Sequence, residues 1–295
     1  MAAITTGQGL KNHALFRCGE KTDGTSDYAT QIEQYVLDAL NDVHAAAPFY
    51  FVLADPPGVL SLVAKVAATV TSIAGTTWTL SGTIATSQAG KKVYLDSEQI
   101  IYRIITHTAG TATLAVDAAY AETVTSGPCT IFQDEYNLAA NCLRPWDGWV
   151  RNRPSETVQF ITGRESNTRY PNRGAYTTKW TYTAALIQGA TGGIQKVRVI
   201  PWPTEAMTIE YQYSKRAAAL TFDGVAGTDT PDVPKEDLLC VADRAAFMLA
   251  VDKNDDRANG YFEQSNRRLD AMVERYIAMQ RPSFRPAYGS SLGVG

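Results

Sequence analysis

The chain has 295 residues, 45% of them apolar, and a formal net charge of −3. That length suits one large domain or two smaller ones, and that apolar share excludes a chain disordered throughout. The small negative charge argues against a dedicated nucleic-acid binder.

Four cysteines, Cys18, Cys129, Cys142 and Cys240, are too far apart in sequence for a Cys-x-x-Cys pair. They read as reduced and mostly buried thiols of a protein made in a reducing cytoplasm. The start, Met1-Ala-Ala-Ile-Thr-Thr-Gly, lacks the basic and apolar regions of a secretory leader. No stretch approaches the roughly 18 consecutive apolar residues of a membrane span.

The first predicted helix runs from a cap at Thr25 or Ser26 to about His44, with Ile32, Tyr35, Val36, Ala39, Leu40 and Val43 on one face. Pro48 ends it. Phe49–Leu53 is a short buried strand or turn, and Asp55-Pro-Pro-Gly58 breaks the chain.

A β module follows, from Val66 to Tyr136. Its strands are 66–73, 76–80, 92–95, 100–105, 111–116 and 130–133, rich in β-branched and aromatic residues between Gly, Ser, Asp and Pro. That is the pattern of a small sandwich or barrel. Just beyond it, Trp146 and Trp149, three apart beside Pro145 and Gly148, read as an anchor seating the module on the main body.

Further strands are expected at 157–161, 176–182, 195–200 and 207–213. In the last, Met207, Ile209, Tyr211 and Tyr213 share one face. The polar segment 163–174 reads as a mobile loop, and 189–193 as a turn. From Cys142 to Arg216, eleven basic residues stand against five acidic ones, a local charge of +6. This is either a surface for phosphate or an acidic partner, or a set of solvated strand edges. The scatter of the charges favours the second.

A loop at 222–234 leads into a helix that Pro234, Glu236 and Asp237 open, with Leu238, Leu239, Ala242, Ala245, Ala246 and Leu249 facing inward. A turn at 254–256 precedes a last helix, about 257–280. The tail 282–295 is too short to fold alone and is expected to order on a partner.

The sequence therefore predicts an α+β fold with five segments. They are an N-terminal helical segment (1–64), an inserted β module (65–138), a β-rich middle with a polar loop (139–233), a C-terminal helix pair (234–281) and an extended tail (282–295). Chemistry is not signalled. His13, His44 and His107 have no metal-ligand spacing, and 252–256 lacks the glycine and distant glutamate of a calcium loop. There is no nucleophile elbow and no Walker-type loop. The reading is a non-enzyme, with no catalytic, cofactor-binding or metal residue assigned.

The order of these features resembles the head-to-tail adaptor (head-completion, connector) proteins of tailed bacteriophages. The likeness rests on Gly90-Lys-Lys-Val-Tyr-Leu-Asp, Ile101-Tyr-Arg-Ile-Ile, Cys129-Thr-Ile-Phe-Gln-Asp-Glu-Tyr-Asn-Leu138, Val197-Arg-Val-Ile-Pro-Trp-Pro-Thr-Glu, Pro231-Asp-Val-Pro234, and two closing helices before a free tail. The resemblance implies a structural virion protein at the head–tail junction, made in the host bacterial cytoplasm. It implies a homo-oligomeric ring, usually of twelve copies, beneath the portal, meeting the tail or nozzle and extending the DNA channel. Packaged double-stranded DNA would be touched transiently and without sequence preference, and no membrane or cofactor is involved. The tail, through Arg281, Phe284, Arg285, Tyr288 and Leu292, would reach the portal or a neighbouring subunit. The other readings are a tail-completion, tail-tube or fibre-attachment protein, and a glycan binder built on Trp146 and Trp149.

Overall fold

The structure, a computed structural model, describes residues 4–98, 100–120, 125–162, 164–165, 181–187, 195–222 and 230–280. The fold is α+β. The chain divides into a helical unit, Met1–Asp55 with Tyr213–Gly295, and a β unit, Pro56–Gln212, inserted between its halves.

Four helices build the helical unit among the described residues: α1 (Gly7–Arg17), α2 (Ala29–Ala46), α3 (Leu238–Asp252) and α4 (Ala258–Gln280). Apolar periodicity does not announce α1. Two glycines lower its helix propensity, and the Thr6 hydroxyl, accepting from Gly9 N–H at 3.1 Å, caps it. Helix α2 begins later than the sequence suggests, at Ala29. Ser26 accepts from Tyr28 N–H and so braces the entry turn. Phe49–Leu53 resolves as a turn with one bridge, Leu53 to Ser214.

Helix α3 is the axis of the unit. It buries nine of its fifteen residues and packs on each of the other three helices. Its Ala242, Ala245, Ala246 and Ala250 are fully buried, so neighbouring backbones approach closely. Asp243 is fully buried too, between Arg17 of α1 (3.0 Å) and Arg268 of α4 (3.0 Å). His44 is buried, with Nδ1 2.9 Å from the Lys215 carbonyl, and burial lowers its pKa.

The β unit holds two curved sheets. The first is a closed barrel of β2 (Val66–Ala74), β3 (Thr77–Ile84), β4 (Lys92–Leu95), β5 (Tyr102–His107), β6 (Thr111–Val116) and β7 (Gly127–Phe132), in the order β2-β3-β6-β5-β4-β7. Val70, Val93, Ile104, Leu114 and Ile131 fill it around Trp78, against which Tyr102 and Tyr120 pack edge-on. Closure leaves no open strand edge.

The second sheet has seven strands, in the order β1-β13-β9-β10-β11-β12-β8. These are β1 (Gly58–Leu62), β8 (Glu135–Asn137), β9 (Cys142–Val150), β10 (Arg153–Thr162), β11 (Thr181–Ile187), β12 (Lys196–Ile200) and β13 (Met207–Lys215). Pairing is antiparallel except for β10 with β11. The outermost strands, β1 and β8, approach one another, so the sheet curls almost into a second barrel. β8 thus pairs in this sheet although it lies within the 65–138 segment of the sequence reading, and so does β1 from the 1–64 segment.

The curl depends on a bare backbone at Gly58. The Tyr211 ring lies across it, and a β-carbon there would sit 2.3 Å from Tyr211 Cζ. Tyr211 is fully buried, and its hydroxyl accepts from Ala139 N–H at 2.7 Å. The expected polar loop 163–174 (apart from 164–165), the first half of the 176–182 strand, the 189–193 turn, residues 223–229 of the next loop and the tail lie outside the described residues. Gly58→Ala is expected to destabilise the protein by about 1–3 kcal/mol, as overpacking does. Chemical denaturation of the variant against the wild type measures it.

Candidate functional site

With nothing signalling catalysis, the informative site is the place where the inserted barrel meets the larger sheet. Its polar part is a quartet of two cations and two carboxylates. Lys92, on barrel strand β4, lies 2.8 Å from Asp134 and 2.8 Å from Glu135. Arg198, on sheet strand β12, reaches Glu135 at 2.7 Å and Asp134 at 3.5 Å. Both carboxylates sit where the chain leaves β7 for β8, so barrel, connection and sheet are bound together.

Local structure puts these groups in range. Lys92 pairs across the ladder with Phe132, the last residue of β7, and Arg198 pairs with Glu135. The Val199 N–H donates to the Asp134 carbonyl at 2.8 Å and fixes the connection. Asp134 is only 5% exposed, so losing either partner would leave a buried carboxylate poorly compensated. Burial by itself would raise the Glu135 carboxyl. Hydrogen bonds from Arg198 and Lys92 outweigh it and hold the group down at about 2.

Beside the quartet is an aromatic contact. Trp202, just after β12, packs on Phe132 with ring centres 4.2 Å apart and on Tyr94 of β4 at 5.6 Å. The sequence drew attention to Trp146 and Trp149 for this role, but the structure places both on β9 of the larger sheet. The Trp149 indole N–H donates to Glu210 at 2.9 Å, and the Arg144 guanidinium lies 4.1 Å over the Trp146 ring. Trp202 has no periodic signal, since it sits between two prolines at the end of a strand.

The other singled-out residues are dispersed. Arg281, Phe284, Arg285, Tyr288 and Leu292 lie outside the described residues. Three of the eleven basic residues of 142–216 are held in ion pairs: Arg151 with Glu210, Arg153 with Glu205 and Glu156, and Arg198 as above. That matches the solvated-edge reading better than a phosphate surface. All four cysteines are buried, and burial pushes Cys18, Cys129 and Cys240 up to about 11, which leaves these three poor nucleophiles. Among the described residues, no three His, Cys, Asp or Glu side chains are grouped to hold a metal ion. No helix among them is long and apolar enough to cross a membrane.

In comparisons with known proteins, no protein-family model matches the chain and no curated protein matches its sequence.

The quartet generates a prediction in two parts. Arg198→Ala leaves Asp134 and Glu135 with Lys92 alone and should cost about 3 kcal/mol, the range for breaking a buried ion pair. The pH dependence has a defined sign. Glu135 is depressed from 4.5 to about 2 on folding, so its contribution is present above pH 4.5 and disappears as the pH falls toward 2. Denaturant midpoints across that window should show a fall that Glu135→Gln flattens.

Proposed function

We propose that this chain is a structural protein of a tailed-bacteriophage particle, a head-to-tail adaptor. In this reading copies form a ring beneath the portal, join the DNA-filled head to the tail or nozzle, and extend the DNA channel. The observation that carries the reading is the arrangement of the chain: a helical body closed by both ends of the sequence, with an entire β unit let out between them.

The physical case is as follows. Helices packed through alanine give a stiff body suited to repetition around an axis. A barrel without free edges can stand at the surface without recruiting stray strands. In a ring each modest contact recurs, so weak pairwise affinity closes a firm assembly. DNA sliding through should meet no strong, sequence-reading grip, which agrees with a net charge of −3 and with Arg151 and Arg153 being paired with Glu210 and Glu205. The C-terminal tail would add contact with the portal or the next subunit. A glycan-binding role has less support, because Trp149 is tied to Glu210 and Arg144 lies over Trp146.

Gold-conjugated antibody on intact particles, viewed by negative-stain electron microscopy, tests the reading. Label at the junction of head and tail is expected. Label along the tail or at fibre tips would contradict it, as would particles that carry none. Removal of 282–295 is expected to leave the melting temperature unchanged and to strip the protein from particles.

A further inference from the structure

The chain leaves the helical unit after Asp55 and returns to it at Tyr213. Just inside the helical unit the outgoing and returning backbones are clasped. Ala54 N–H donates to the Tyr213 carbonyl at 3.0 Å, Lys215 N–H donates to the Val52 carbonyl at 2.9 Å, and Leu53 is bridged to Ser214. Helix α2 holds the returning segment at two further points. Asn41 Oδ1 accepts from Ala217 N–H at 2.9 Å, and His44 Nδ1 lies 2.9 Å from the Lys215 carbonyl. Three apart, Asn41 and His44 share one face of the helix.

The His44 contact works in one protonation state. A carbonyl only accepts, so Nδ1 carries the proton of the neutral ring and Nε2 keeps a lone pair. His44 is fully buried, and Nε2 has no hydrogen-bond partner among the described residues. A second proton would make Nε2 a buried donor with nothing to accept it, on a ring that had become a buried cation.

The surroundings do not rescue that cation. Lys215, on the returning segment, disfavours it. Asp232, before α3, favours it but is exposed and so screened. Asp42 of α2 and Arg244 of α3 pair with one another at 3.0 Å, and 45–54 holds no Asp, Glu, Lys or Arg. Burial accordingly holds the ring below its ordinary value of 6.5. The folded state thus binds this proton less readily than the unfolded one. Stability from the neutral ring is whole above pH 6.5 and is lost as the pH falls below it toward the lower folded value.

We propose that His44 makes the clasp an acid-operated latch, closed while the ring is neutral and opened when Nε2 takes a proton, with the β unit still folded. The Glu135 contribution to the β unit is lost only below pH 4.5, so the two units respond to acid in separate windows. The latch does not depend on the adaptor reading.

Backbone hydrogen exchange of the full chain at about pH 7.5 and about pH 5.5, corrected for intrinsic rates, tests it. The Ala54, Lys215 and Ala217 amides are expected to lose protection about tenfold, the most that one pH unit below 6.5 allows. Ile104 N–H, bonded to the Lys91 carbonyl, and Val199 N–H report on the β unit and should keep theirs. His44→Asn retains a side-chain N–H for the Lys215 carbonyl but does not titrate, and should abolish the loss. His13→Asn should not, although burial lowers His13 too. Unchanged protection in the wild type, a loss that survives His44→Asn, or an equal loss at Ile104 and Val199 would overturn the inference. Should His44→Asn fail to fold by circular dichroism, the ring nitrogens of the wild type decide by ¹⁵N resonance. A protonated Nδ1 with a bare Nε2 is expected to persist below pH 6.5, and the opposite tautomer or a ring already charged at pH 6.5 would overturn it.

Discussion

A buried carboxylate between two cations is the interaction on which the β unit depends. Asp134, 5% exposed, is a buried carboxylate whose desolvation is offset by Lys92 and Arg198 beside it. Those cations come from different sheets, Lys92 from the barrel and Arg198 from the seven-stranded sheet. The cost of an unpaired buried charge thus becomes a constraint on geometry: the barrel can leave its seat only by breaking the quartet and unstacking Trp202 from Phe132. An apolar patch of equal area would hold the barrel as firmly but would fix its orientation less closely, because dispersion is not directional.

The helical unit uses the same device. Asp243, with no exposure, is held between Arg17 and Arg268 and so ties α1 and α4 to α3. Asp237 accepts from the Tyr276 hydroxyl at 2.6 Å and from Arg275 at 3.1 Å, which fastens the last helix near its end. In both units carboxylates and arginines are used to join elements.

Much of the architecture was legible in the residues. Alternating β-branched and aromatic residues marked each barrel stave, and the period of Ile32, Val36, Ala39, Leu40 and Val43 marked α2. Helix α1 was not legible, because Gly7 and Gly9 mask a helix whose formation relies on the Thr6 cap and on packing against α3. Trp146 and Trp149 stood out as an anchor because they lie three apart beside Pro and Gly, yet both belong to strand β9. Pro145 is buried within that strand, and a β-carbon on Gly148 would sit tightly, 3.1 Å from Val158 Cβ and 3.2 Å from the Glu210 carbonyl. The quartet was out of reach for a different reason. Lys92, Glu135 and Arg198 are brought together by strand registers spanning more than a hundred residues, and no local pattern encodes that meeting.

Nuclear spin relaxation of backbone amides tests the central claim, that the barrel and the seven-stranded sheet move as one body. A single rotational correlation time for barrel residues 66–132 and for the strands of the larger sheet is the predicted result. A distinctly shorter time for the barrel would show it tumbling on its own tether, and would contradict the account of the quartet as a rigid seat.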